Sequence, residues 1–280
     1  MSFTRIDLTP RIGTEIRIDK EALLNGSVRK ELRALLEERG VLLFRNLDIS
    51  AEEQIQFGAT IGTVRLEHGL ESTKIIADKT QSPIFADYTE GTYYFHIDGT
   101  YTDTPGLASI LRPKVLAPTG GQTQFCNTYA LYEDLTSEEQ RFLCGLQAVH
   151  SLEQIMRFAF PNPTEEQLDS WGERRHPPKI HPLVWEHKSG RKSLLLAYNI
   201  KYFLGMRRAE SDALLARLLK LAEESQYIYT HNWEIGDMLI WDNTGTMHRV
   251  IRFDLNCGRE LTRVTLLGEE QIKAAGLGSA

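Results

Sequence analysis

Tyr93-Tyr94-Phe95-His96-Ile97-Asp98-Gly99 is the stretch on which the reading of this chain turns. Its aromatic and β-branched residues favour an extended backbone and predict a strand over 93–98. On a strand, residues two apart share a face, so an imidazole and a carboxylate would enter one space. That supplies two ligands for a metal of intermediate softness. Taken alone, a His and an Asp at this spacing form a common chance pair, and a hydrogen-bonded surface pair explains them equally well.

Outward from this stretch, short apolar runs alternate with Gly and Pro turns: 107–112, 121–126, 146–151, 180–186, 193–198, 227–233, 237–242 and 260–267. Many short strands with turn signals predict a sandwich or barrel. Helices are expected over 27–39 (capped by Ser27 and stopped by Gly40), about 51–61 (opened by the box Ser50…Glu53), 127–144, 164–172 and about 209–224. Between the first two, Val41–Phe44 reads as a buried strand. Residues 63–92 carry no clear period. The class is therefore mainly β with flanking helices.

Three further features bear on chemistry. His248 ends the block Trp241-Asp242-Asn243-Thr244-Gly245-Thr246-Met247-His248, where a turn after an apolar strand could present it to the same cavity. Two histidines and one carboxylate form a facial triad that leaves the opposite coordination positions open, as in non-haem Fe(II) oxygenases. A lone His248 would read as structural. Arg259 and Arg263, four apart on one strand face, would point two guanidiniums inward toward anions, carboxylates above all. An outward, solvated pair is the alternative. Gly120-Gly121-Gln122-Thr123 is a tight turn leading into a strand, with the Thr123 hydroxyl free to donate.

The 280 residues carry a formal charge of −6, with 41% hydrophobic and 25% charged side chains. This excludes a disordered or collagen-like chain. It also argues against a dedicated nucleic-acid binder, which would show a basic face. Apolar stretches are strand-sized, far short of the ~18–20 residues of a membrane span. The first residues show no charged-then-apolar pattern, and the 3 cysteines form no C-x-x-C. The expected setting is the cytoplasm. His150, His176, His181, His187 and His231 lack matched partner spacing and read as structural or exposed. Cys126 reads as a packed residue, and Arg207-Arg208 as the solvated start of a helix.

The set resembles the taurine dioxygenase family of Fe(II)/2-oxoglutarate-dependent oxygenases, which includes the aryloxyalkanoate dioxygenases. The likeness runs from Gly40-Val41-Leu42-Leu43-Phe44-Arg45 to Gly268. It takes in His96-x-Asp98, Gly120-Gly121-Gln122-Thr123-Gln124-Phe125, His181-Pro182-Leu183-Val184, Ser189-Gly190-Arg191-Lys192-Ser193-Leu194, the Trp233…Gly236-Asp237…Trp241-Asp242-Asn243…His248 block and the arginine pair. Order and spacing agree throughout. Phe95 and Thr244 depart from the usual Trp and Arg, at positions that are not ligands.

The resemblance implies a double-stranded β-helix (jelly roll) formed by one domain over 1–280, with insertions at about 63–92 and 127–180. It implies Fe(II) held by His96, Asp98 and His248, 2-oxoglutarate bound by Thr123 and Arg259, and O2 as co-substrate. Arg263 would lie beside the iron-bound carboxylate or bind an acidic group of the prime substrate, with His68 as a further substrate contact; Tyr94, flanking the His-x-Asp strand, could line the substrate pocket from its inner face. A carboxylate at 98 favours oxygenation over halogenation, which needs a small residue there. The implied partner is a small, anionic or partly apolar molecule hydroxylated at an unactivated C–H bond, with release of succinate and CO2. No nucleic acid or membrane is involved, and a homo-oligomer is allowed. A metal hydrolase and a non-catalytic jelly-roll binding protein are the rival readings. A zinc hydrolase accommodates the His/His/Asp set but leaves the arginine pair and the Gly-Gly-x-Thr turn without a purpose.

Overall fold

A computed structural model describes residues 3–67, 69–76 and 83–275. In chain order the elements are β1 (Phe3–Asp7), β2 (Thr14–Ile18), α1 (Lys20–Leu24), α2 (Arg29–Arg39), β3 (Val41–Phe44), α3 (Ala51–Ile61), β4 (Thr73–Ile76) and α4 (Pro83–Gly91). Then come β5 (Ala108–Val115), β6 (Thr123–Asn127), α5 (Thr128–Glu133), α6 (Ser137–Cys144), β7 (Gln147–His150), α7 (Leu152–Ala159) and α8 (Glu165–Trp171). The remainder is β8 (Lys179–Pro182), β9 (Val184–Glu186), β10 (Lys192–Leu194), β11 (Ile200–Phe203), α9 (Arg208–Ala222), β12 (Ile228–His231), β13 (Met238–Asp242), β14 (Thr246–Val250) and β15 (Glu260–Thr265).

Seven strands make one sheet in the order β1-β2-β3-β13-β5-β15-β4, antiparallel except for the β2–β3 pair. β3 and the Met238–Trp241 part of β13 are apolar without interruption because both faces are covered. Leu42, Phe44, Ile110, Met238, Ile240 and Val264 pack outward against Leu32, Leu35, Leu36, Phe57 and Ile61 of α2 and α3. The alternate positions Val41, Leu43, Leu111, Leu239, Trp241 and Leu261 pack inward with Phe125 and Tyr229. Phe125 and Tyr229 belong to a second sheet, β12-β6-β14. The two sheets therefore face one another across an aromatic core, with the Phe125 and Trp241 rings 5.7 Å apart. At ~1.5–3 kcal/mol for each fully buried large apolar side chain, these layers are the main source of stability. The same parity that turns Leu261 inward turns Arg263 inward.

Several expectations need correction. Residues 93–98 do not form a strand; a single bridge joins His96 to His248, and the chain turns at Asp98. Ser27 does not cap α2. Its backbone N–H donates to Asn25 Oδ1 (2.9 Å), and the N-cap, Val28, has no side-chain bond. The helix expected over 127–144 is two, because Thr136 and Glu139 form a fresh capping box. The run 180–186 breaks at Leu183. His248 lies within β14 rather than on a turn. The unassigned stretch 63–92 contains β4 and α4. The boxes at Ser50 and Thr164, the stop at Gly40, and the solvated Arg207-Arg208 start of α9 stand as read.

Candidate active site

His96 and His248 are brought together by backbone. Each donates its N–H to the other's carbonyl, at 3.0 and 2.9 Å, and their rings lie 4.3 Å apart. β14 is fixed in turn by β6, where His248 pairs with Phe125. Asp98 completes the group. His96 Nε2 lies 3.6 Å from Asp98 Oδ1, and His248 Nε2 lies 3.7 Å from Asp98 Oδ2. One ligand atom from each residue falls within 4.8 Å of the others, a geometry that can hold a metal ion. The His96 Nδ1 hydrogen bonds to the Tyr94 carbonyl (2.9 Å), which leaves Nε2 as the lone pair facing Asp98.

The charges suit a cation. Burial pushes His248 down to about 3, and the neighbouring His96 adds to this, so the imidazole is neutral. Burial alone would raise Asp98. The Arg263 guanidinium outweighs it and holds the carboxyl well below the usual carboxylate range. Arg263 Nη2 donates to Asp98 Oδ2 and to Ser109 Oγ (3.0 Å), while its Nε donates to Thr265 Oγ1 (3.1 Å). Arg263 is thus committed to the carboxylate. Two imidazoles and an ionised carboxylate are a donor set that fits Fe(II).

Two cavities meet at this group. The first, of about 430 Å³, is lined by Thr123, Trp241, His248 and Arg259. Its cation is unusual. Arg259 is only 6% exposed, its Nη2 donates to the Gly121 carbonyl (3.1 Å), and its guanidinium lies 4.8 Å from the Phe253 ring centroid. Among the described residues no carboxylate forms an ion pair with it, and burial lowers it to about 10. The glycine turn makes room: a Cβ on Gly121 would lie 3.1 Å from Arg259 Nε, and one on Gly120 would lie 2.0 Å from the Arg252 carbonyl oxygen. The Thr123 hydroxyl accepts from Trp233 Nε1 (3.0 Å), which leaves its own hydrogen to donate.

The second cavity, about 490 Å³, shares His96, Asp98 and Arg263 with the first. Tyr101, His150, Ile155, Met156 and Asn199 are among the residues that line the rest of it. Tyr94 lines neither cavity. Its hydroxyl donates to the Phe158 carbonyl (3.0 Å), and its ring packs on Phe158 and Tyr198. His68 lies outside the described residues. His150 and His176, read as structural or exposed, both line the second cavity. His181, His187 and His231 are buried with polar partners. Cys126 is packed, its thiol pushed up by burial.

The family model for "Taurine catabolism dioxygenase TauD, TfdA family" matches residues 4–265. The chain belongs to that family. It is a 2-oxoglutarate-dependent non-haem iron dioxygenase, with Fe(II) and 2-oxoglutarate as cofactors. It is 30% identical over 273 residues to the alpha-ketoglutarate-dependent 2,4-dichlorophenoxyacetate dioxygenase of Cupriavidus pinatubonensis, covering 90% of this chain and 93% of that one. It is 32% identical over 278 residues to an alkylsulfatase of Acinetobacter baylyi, covering 96% and 86%. Among solved structures it superposes on AAD-2 in complex with Mn(II) and N-oxalylglycine. The TM-score is 0.82 at 26% identity, over 98% of this chain and 100% of that one. A taurine dioxygenase from Burkholderia xenovorans gives 0.77 at 28%, over 99% and 98%. The dioxygenase reading displaces both the hydrolase and the non-catalytic alternative.

Two contributors to the dioxygenase site escaped the sequence. Trp241 covers the His248 ring at 4.7 Å, and Asn243 bonds the backbone of Asp98. Both stand in the quoted Trp-Asp-Asn run, which was the available signal.

Proposed function

We propose that this dioxygenase hydroxylates an unactivated C–H bond of a small anionic organic acid, releasing succinate and CO2. The observation that carries the reading is a metal-ligand trio at the junction of two cavities, one of them ending in a buried, unneutralised guanidinium. His96, Asp98 and His248 would hold the iron. Arg259 and the Thr123 hydroxyl would take the far carboxylate of 2-oxoglutarate, a partner that supplies the charge Arg259 lacks. The second cavity would take the prime substrate. Its aliphatic and aromatic wall suits an apolar or aromatic body, and relatives named for 2,4-dichlorophenoxyacetate and sulfate esters point to an acidic group on it.

When bound, iron and 2-oxoglutarate supply oxidative decarboxylation of the keto acid, with O2 oxidising the substrate C–H bond. The chain's own residues orient and protect. Arg263 keeps Asp98 ionised, the Tyr94 carbonyl sets the His96 tautomer, and Trp241 walls off one side of the His248 ring. A carboxylate at position 98 occupies the place a halide would need, which supports oxygenation. The facing sheets support a double-stranded β-helix formed by a single domain. No helix among the described residues is long and apolar enough to cross a membrane, in keeping with the cytoplasmic setting we propose.

The test is succinate release with Fe(II), 2-oxoglutarate and O2 across a panel of carboxylates, sulfonates and sulfate esters. Substrate-dependent succinate, lost in His96→Ala and His248→Ala, is the expected result. Succinate release unchanged in both variants would refute the ligand assignment.

A further inference from the structure

Asp98 stands where the chain is turning, outside any strand, yet its carboxylate must meet the imidazole two residues before it and a second one fixed on β14. Its backbone is held by one side chain. Asp98 N–H donates to Asn243 Oδ1 (3.0 Å), and Asn243 Nδ2 donates back to the Asp98 carbonyl (2.9 Å). The second Nδ2 hydrogen goes to the Gly106 carbonyl (3.0 Å), and the Asn243 backbone N–H donates to the Leu107 carbonyl (3.0 Å). Asn243 is 1% exposed. Its carboxamide therefore acts as a two-way strut in place of a missing strand partner, tying the Asp98 turn to the segment that leads into β5.

Asn243 itself is anchored on both sides. Trp241 precedes it on β13, against the His248 ring. Asp242 Oδ1 accepts from the Thr244 N–H (2.8 Å) and hydroxyl (2.7 Å), and Tyr129 donates its hydroxyl to Asp242 Oδ2 (3.2 Å). The turn has no slack at Gly245, where a Cβ would lie 1.7 Å from the Tyr129 ring. One three-residue run thus packs on one proposed ligand through residue 241 and holds another through residue 243.

We propose that Asn243 is a positioning residue that sets Asp98 for metal binding before the metal arrives. This rests on the assignment of His96, Asp98 and His248 as ligands. Outer partners of metal ligands are typically worth about 10–100-fold in metal affinity. Asn243→Ala and the smaller perturbation Asn243→Ser are the variants, with Mn(II) and Fe(II) alone as probes. Titration is done where circular dichroism shows each variant folded. The expected result is a metal Kd raised about 10–100-fold in the folded variant. A wild-type Kd accompanied only by a lower unfolding midpoint would make Asn243 merely structural and overturn the proposal.

Hydrogen exchange on the unsubstituted protein is a second, independent measure. The Asp98 amide should already be protected without metal, and an exchange rate like that of a free loop would also overturn the proposal. Failure of the underlying assignment looks different: metal affinity would then be insensitive to His96→Ala and His248→Ala, whatever Asn243 variants do.

Discussion

Removing the Arg259 charge should move affinity and stability in opposite directions. Arg259 is buried, forms no ion pair among the described residues, and is lowered from 12.5 to about 10 by burial. At ~1.4 kcal/mol per pH unit, that depression means about 3 kcal/mol against the charged form in the ligand-free fold. A bound carboxylate removes this penalty, so losing the guanidinium should cost 2-oxoglutarate about 3 kcal/mol, or about 100-fold in Kd. The ligand-free protein should gain stability, because Arg259→Gln deletes an uncompensated buried cation. The sign follows from the lowered value: the charge penalises folding fully below about pH 10 and less as pH rises above it. Calorimetric titration of 2-oxoglutarate onto the Mn(II)-loaded protein reads the first effect, and urea unfolding without ligand reads the second. A change under threefold in Kd, or a variant less stable than the parent, would show that Arg259 is not a waiting anion site.

The neighbouring turn and the second cavity yield further expectations. Gly121 has φ +77°, and a Cβ there crowds Arg259, so Gly121→Ala should cost about 1–2 kcal/mol and raise the KM for 2-oxoglutarate. Chemical denaturation and initial rates check the two effects. Thr123→Val deletes one hydroxyl donor and should raise that KM about fivefold, near 1 kcal/mol, with the Kd for Mn(II) unchanged. Burial, reinforced by His181, pushes His150 down to about 3. The unfolded chain takes up this proton below about pH 6.5, so stability is full above that value and falls toward pH 3, by about 5 kcal/mol over the whole span. His150→Gln should flatten that acid limb, as read by unfolding midpoints between pH 4 and 7.

How far the sequence could be read depended on whether a residue's role is local. The capping boxes at Ser50 and Thr164 and the Gly40 stop are encoded within four residues, and they stand as read. The apolar strands Val41–Phe44 and Met238–Asp242 announce themselves because both faces are buried. The three metal-ligand candidates could be picked out only from the joint order and spacing of the motifs, since each alone has an ordinary structural explanation. What stayed hidden is non-local. Residues 93–98 have strand composition but find no ladder: within that run a single bridge, His96 to His248, joins the segment to β14, and the chain turns at Asp98. Tyr94 could be placed near the ligands, but its side chain is captured by Phe158, which lies 64 residues away in the chain. His150 offered no partner spacing because its partner, Asn199, is 49 residues distant.

The two arginines, matched in sequence, do opposite electrostatic work. Arg263 and Asp98 cancel in direct contact, so the pair adds little net field to either cavity. Bound Fe(II) would bring two positive charges, and 2-oxoglutarate two negative ones. Arg259 is then the charge left over at the centre. In the proposed binding mode its guanidinium would sit behind the far carboxylate, in the first cavity and away from the second. An anionic prime substrate would therefore feel a site that is net positive yet offers no free cation at Arg263. Electrostatics would draw the acid in, while the apolar wall of Ile155 and Met156 would set the position of its carbon body. Selectivity among acids should accordingly follow the shape of the second cavity more than the identity of the acidic group.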